Sequence, residues 1–116
     1  VRETESARVV PFPADRVGVC VDTGHAHFAG YGVEVIRAAA GRILTTHLHD
    51  NDGARDEHLP PGQGTIDWSA TMRAFRETGY AGPWIFECGR PGEPMFDEVT
   101  ESMRLLRRAW QEADAA

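Results

Sequence analysis

Three short apolar runs, Arg16 to Asp22, Arg42 to Leu48 and Trp84 to Glu87, each end on or beside a side chain that can bind a proton or a metal ion, and this repetition restricts the folds open to the chain. The first run is rich in Val, the composition of a strand buried on both faces, as in parallel sheets. It follows a polar lead-in and gives way to a loop punctuated by Gly24, Gly30 and Gly32. Val33 to Ala40 then has helical composition and stops at Gly41, a common way to end a helix. Asp67 is placed to cap a second helix, on which Trp68, Met72 and Phe75 recur at helical spacing until Gly79. From Met95 to Ala113, Phe96, Val99, Met103, Leu106 and Trp110 trace one face of a last amphipathic helix. Strand and helix thus alternate three times, which calls for a parallel sheet with right-handed crossovers. Such sheets carry chemistry at the C-terminal edge of their strands, so Asp22, His47 and Glu87 should converge there.

Composition narrows the chemistry. At 116 residues, with 41% hydrophobic and 26% charged side chains, the chain has room for one domain and one core. Its apolar stretches are far too short for a bilayer span and no signal segment opens it, so a soluble, cytoplasmic protein is expected. A net charge of -6 disfavours a nucleic-acid surface and favours a small-molecule partner. All twelve basic residues are Arg, which excludes a Schiff-base lysine within the chain. Cys20 and Cys88 each lie in an apolar run, where a thiol behaves as a small buried hydrophobe; they do not make a disulfide framework.

Asp22 and His25 stand three apart where the first strand gives way to its loop, either as a metal pair or as a turn cap beside a surface histidine. His47 and His49 flank Leu48, and strand periodicity sends both imidazoles to one face. Asp50, Asp52, Asp56 and His58 follow in a polar segment, residues 50–64, of the length that is either functional or disordered. Oxygen and imidazole donors suit Mn²⁺, Co²⁺, Zn²⁺ or Mg²⁺, and the lack of paired thiolates speaks against a structural zinc knuckle. Glu87 ends an apolar strand, where an unpaired carboxylate is costly; a metal or an ion pair with Arg90 would offset that cost. His27 is expected to be a loop residue without a catalytic role.

Four linked motifs, Val19-Cys-Val-Asp-Thr-Gly-His25, Thr46-His-Leu-His-Asp-Asn-Asp52, Asp56-Glu-His-Leu-Pro-Pro-Gly-Gln-Gly-Thr-Ile-Asp-Trp68 and Trp84-Ile-Phe-Glu87, resemble the xylose-isomerase-like TIM-barrel superfamily of sugar and sugar-phosphate isomerases and epimerases, with the endonuclease IV enzymes as more distant members. The resemblance implies an α/β fold, a (β/α)8 barrel of which residues 1–116 supply the last three strand-helix units as the C-terminal portion of one domain. It implies one divalent metal ion, with Asp22, His47 and Glu87 as ligands, Glu87 as an acid/base catalyst, and His25 and His58 as substrate-binding residues. His49 and Asp56 are further candidate ligands. The chemistry so implied is proton transfer by two carboxylates through a metal-stabilised enediolate on a sugar or sugar phosphate, with the second carboxylate on an earlier strand. A full barrel needs about 250 residues, so a homo-oligomer or the remainder of a longer barrel chain is expected to complete it, and the isolated piece is expected to be inactive. The same residue types also fit an endonuclease IV-like zinc phosphodiesterase, and a non-catalytic half-barrel module is the third alternative.

Overall fold

The computed structural model describes residues 12, 13 and 15–115; the polar lead-in over residues 1–11 lies outside it. Strand β1 (Val19–Asp22) leads directly into helix α1 (Thr23–Phe28), followed by α2 (Val33–Ala38), strand β2 (Ile43–His47), α3 (Trp68–Thr78) and α4 (Phe96–Ala115). The two strands are parallel, in a register that sets Asp22 directly across from His47. Asp22 also caps α1: its carboxylate accepts the N–H of His25, so the segment after β1, expected to be a loop, forms a short helix instead.

The third expected strand, Trp84 to Glu87, is reduced to a single parallel bridge between Leu48 and Phe86. The Leu48 N–H donates to the Ile85 carbonyl at 2.7 Å and the Glu87 N–H donates to the Leu48 carbonyl at 3.0 Å. Further back, the Thr46 side chain replaces the ladder: Oγ1 accepts the Ile85 N–H at 3.2 Å and donates to the Pro83 carbonyl at 3.1 Å. Glu87 is nonetheless delivered to the same edge as His47. Among the described residues the fold is a partial α/β barrel of two strands and four helices.

Helix α3 follows its sequence pattern closely. The Asp67 carboxylate accepts the N–H of Ala70, Gly79 ends the helix in the left-handed region, and Trp68, Met72 and Phe75 are buried. Its core face joins Val21, Ile36, Leu48 and Leu106. Trp84 packs edge-on to Phe75, Tyr80 and Trp110 with ring centroids 5.0 to 5.6 Å apart, a favourable aromatic arrangement. Helix α4 buries Ser102, Leu106 and Ala109 rather than the whole face read from its sequence, and Phe96 and Met103 are exposed. The buried Ser102 hydroxyl donates to the Pro61 carbonyl, which turns the helix so that Met103 sits on the rim of a groove with Trp84, Phe86 and Trp110.

The polar segment after β2 is ordered, and a buried carboxylate orders it. Asp50 is fully buried and accepts four hydrogen bonds: from the N–H groups of Asn51, Gly62 and Ile66 at 2.9 to 3.1 Å and from the Trp68 indole at 2.8 Å. A backbone pair with Leu59 folds the segment back on itself. Gly64 makes this closure possible, since a Cβ there would stand 2.3 Å from Asp50 Oδ1. Replacing Asp50 by Ala strands four donors beneath the segment, and hydrogen bonds to a charged group contribute about 1.5–3 kcal/mol each before relaxation. The Asp50→Ala variant is expected to lose about 3 kcal/mol of unfolding free energy in urea titration and to exchange amides over residues 51–66 faster, with Asp50→Asn intermediate; equal stability of Asp50→Ala and the parent would contradict this role.

Candidate metal centre

Three backbone segments bring their carboxylates and imidazoles to one edge. Asp22 arrives at the end of β1, His47 at the end of β2, His49 two residues later on the same side, and Glu87 beside them through the Leu48 bridge. The folded segment after β2 adds Asp56 and His58, and the first turn of α1 adds His25. Every residue that the sequence motifs single out for the site therefore lies in one neighbourhood.

Within it, two sets of donor atoms come within 4.8 Å of one another: Asp22, His49 and Glu87, and His25, His49, Asp56 and His58. His47 belongs to neither set and instead links the carboxylates, with Nδ1 at 2.9 Å from Glu87 Oε2 and 4.0 Å from Asp22 Oδ2. Asp56 lies between two imidazoles, 3.0 Å from His25 Nε2 and 3.2 Å from His58 Nε2. His58 sits at φ 53°, a left-handed backbone rare for a residue with a Cβ, and its Nδ1 lies 3.0 Å from the Glu87 carbonyl. Arg90 makes no ion pair with Glu87; its described backbone contact is a turn to Glu93.

Three histidine rings pack together above this edge. His49 and His58 are stacked with centroids 4.0 Å apart, and His25 stands edge-on to both. His27 faces away from the cluster and meets Thr65 Oγ1 at 2.8 Å. It lines a cavity of about 460 Å³ between α1, α2 and α3, to which neither donor set contributes. Two contributors went unmarked in the sequence, Thr23 and Asn51, both buried and bonded beneath the site. Their signal is faint, because a Thr after a strand-ending Asp and an Asn in a polar run are ordinary turn residues.

Both cysteines are free thiols, and Cys20 is exposed on the open side of β1 rather than buried. Burial pushes the Cys88 thiol up to about 11, and it donates to the Leu48 carbonyl. Cys20 is raised by desolvation and by the nearby charges of Asp22 and Glu87. Neither thiol offers a ready thiolate at neutral pH.

The ionisable groups hold one another charged. Desolvation works against ionised Asp22, but hydrogen bonds from the His49 ring and the His25 N–H outweigh it and keep the carboxyl below its ordinary value. Desolvation likewise opposes a charged His25, yet the Asp56 hydrogen bond and the charges of Asp22, Asp56 and Glu87 raise it. Asp56 is lowered, desolvation being outweighed by the His25 hydrogen bond and by neighbouring imidazoles. A raised His25 stabilises the fold fully below its unfolded value of about 6.5 and loses that contribution as pH climbs through the higher folded value. The lowered carboxyls stabilise above about 4 and lose that contribution as pH falls through their depressed values. The metal-free chain is thus expected to melt highest between about pH 4 and 6.5, with His25→Gln flattening the alkaline decline; a melting temperature of the parent that stays level from pH 6 to 9 would contradict the pairing.

Comparison with known proteins places this edge in a family. A model of the xylose isomerase-like TIM barrel matches residues 8–109. Among curated relatives, the uncharacterized protein y4fM of Sinorhizobium fredii is 42% identical over 77 residues, covering 66% of this chain and 25% of its own length. The inosose isomerase of Bacillus subtilis is 31% identical over 84 residues, covering 66% of this chain and 30% of its own. The probable endonuclease 4 of Mycobacterium marinum is 40% identical over 68 residues, covering 52% and 27%. The chain therefore spans about a quarter to a third of the length of these relatives. The solved structure of a D-tagatose 3-epimerase-like protein superposes with a TM-score of 0.71 at 27% identity, covering 84% of this chain and 36% of that one. An IOLI protein with a bound zinc atom shares the fold, with a TM-score of 0.61 at 24% identity over 94% of this chain and 41% of that one. With a parallel sheet edge rich in carboxylates and imidazoles and a family match over nearly all of its length, the chain belongs to the xylose isomerase-like TIM barrels of the AP endonuclease 2 family.

Proposed function

We propose that this chain is the metal-binding portion of a sugar or sugar-phosphate isomerase or epimerase, with Asp22, His47 and Glu87 as the ligands of one divalent ion. The observation that carries this reading is the contact of one half-exposed imidazole, His47, with carboxylates from both neighbouring segments. Ligands at about 2.0–2.2 Å from a shared ion stand about 3 to 4 Å apart, and the two His47 contacts fall at that spacing, while the set whose three donor atoms all lie within 4.8 Å of one another is Asp22, His49 and Glu87. A hard oxygen and imidazole set suits Mn²⁺, Co²⁺, Zn²⁺ or Mg²⁺. The likeness to an inosose isomerase and to a D-tagatose 3-epimerase-like structure favours carbonyl-sugar chemistry.

When bound, the ion would supply positive charge that polarises a sugar carbonyl and acidifies the adjacent C–H. Glu87, nearly half exposed toward the open side of the sheet, accepts that proton at a carboxylate oxygen and returns it. Asp56 holds the His25 and His58 rings in place, and these two imidazoles meet sugar hydroxyls. The family resemblance assigns the second proton-transfer carboxylate to an earlier strand, so turnover belongs to a complete barrel, formed by a longer chain or by association with another copy.

A second reading draws on a specific feature. The extra donor set of His25, His49, Asp56 and His58, together with the likeness to endonuclease 4, fits a phosphodiesterase holding several zinc ions. Metal content separates the two, with one ion per complete chain for the isomerase and three for the nuclease. The 116-residue chain is expected to gain about 2.7 kcal/mol of stability at a Co²⁺ or Mn²⁺ concentration a hundredfold above Kd, read as a rise in melting temperature, and to lose that gain in His47→Ala and Glu87→Gln. In a complete barrel Glu87→Gln is expected to remove epimerisation measured by sugar-product analysis. A melting temperature indifferent to every one of these ions would support a non-catalytic half-barrel instead.

A further inference from the structure

The side chain of Glu87 is nearly half exposed, so its place at the edge is set by its backbone. Its N–H donates to the Leu48 carbonyl at 3.0 Å. In a parallel ladder the next donor on that side is two residues further on, the Asp50 N–H. Asp50 is diverted instead, because Leu59 takes both its N–H and its carbonyl, at 2.7 and 2.9 Å. His58, the neighbour of Leu59, meets the two groups left over: its Nδ1 lies 3.0 Å from the Glu87 carbonyl, and its own carbonyl accepts the Gly89 N–H at 3.0 Å.

A carbonyl oxygen only accepts, so the ring nitrogen donates where a regular strand would use a backbone N–H. The substitution coincides with an unusual backbone at His58, φ 53°, the left-handed region that a residue with a Cβ seldom enters. Such a conformation persists only where surrounding contacts fix it. Here Asp56 Oδ1 lies 3.2 Å from His58 Nε2, and the ring stacks on His49 with centroids 4.0 Å apart. Asp56 reaches His25 Nε2 at 3.0 Å in turn, so a line of contacts runs from α1 to the Glu87 backbone.

We propose that His58 is a positioning residue for Glu87: through Nδ1 and its carbonyl it continues the ladder that the chain after β2 abandons, and so sets the direction in which the Glu87 carboxylate meets the ion and the sugar C–H. The clamp uses Nδ1 and the main chain, while Nε2 stays turned to Asp56 and the site. This inference rests on the isomerase reading above and gives His58 a second task besides contact with sugar hydroxyls.

The test compares the parent chain with His58→Gly and His58→Asn. Both replacements accept a left-handed backbone, but only Asn offers a side-chain N–H to the Glu87 carbonyl. Amide exchange is followed by NMR in the metal-free chain, and Co²⁺ affinity by calorimetry. His58→Gly is expected to speed exchange at Glu87 and Gly89 about tenfold and to lower Co²⁺ affinity by about tenfold or more, and His58→Asn to recover most of both losses. The Val19 N–H, bonded to the Arg42 carbonyl at the far end of the sheet, is expected to exchange at the parent rate in both variants.

Unchanged exchange at Glu87 and Gly89 in His58→Gly overturns the inference, as does equal acceleration at Val19, which would reduce His58 to a contributor to general stability. Unchanged Co²⁺ affinity in His58→Gly, or losses that His58→Asn does not recover, overturn it too; in each of these cases the metal reading stands. A parent chain that binds no Co²⁺ overturns the metal reading first, and this inference with it. Should His58→Gly fail to fold, His58→Asn decides alone: exchange and affinity within about twofold of the parent support the clamp, and a loss of about tenfold overturns it.

Discussion

The backbone of Leu48 lies between the two edges that matter, and the geometry of the site depends on it. The strand that ends just before it pairs in parallel with β1, while Leu48 itself exchanges hydrogen bonds with Ile85 and Glu87 on the other side. Because parallel neighbours place their C-terminal ends together, this pairing sets Asp22, His47 and Glu87 in a row although up to 65 positions separate them in sequence. The Leu48 side chain turns away into the core with Val21, Met72 and Phe75, so apolar packing on one face anchors polar chemistry on the other.

Directly beyond that row the interior becomes polar. Thr23, His49, Asp50 and Asn51 are all buried; hydrogen bonds to backbone groups offset much of the desolvation of Thr23, Asp50 and Asn51, and the His49 ring is held by the Asp22 carboxylate. Asp50 shapes the segment that carries Asp56 and His58; His49 and Thr23 tie β1 to the segment after β2. Hydrogen bonds that tie several buried side chains to fixed backbone groups restrict their alternatives, which suits groups that must hold a fixed spacing.

Much of this was legible in the chain because the relevant patterns are local. A Val-rich run ending on Asp22 and a short apolar run reaching His47 announce strands, and Asp67 with Trp68, Met72 and Phe75 announces a capped, half-buried helix. The bounds of Trp84 to Glu87 were not legible, since the Thr46 hydroxyl substitutes for ladder bonds from a distant position. Helix α1 was hidden by Gly24, whose value lies in yielding space to His49 rather than in bending a loop. The orientation of α4 was likewise decided by a tertiary contact, from Ser102 to Pro61, that periodicity alone does not encode. How two neighbouring histidines divide the edge is also a tertiary matter: His47 and His49 share a strand face, but His47 is half exposed while the buried His49 ring belongs to both donor sets.

The most direct measurement is anomalous diffraction from crystals of the chain grown with Zn²⁺ or Co²⁺, which locates the ion without reference to activity. One anomalous peak within about 2.0–2.2 Å of Asp22, His47 and Glu87 is the expected result. A peak enclosed only by His25, Asp56 and His58, or an empty sheet edge at saturating metal, would contradict it.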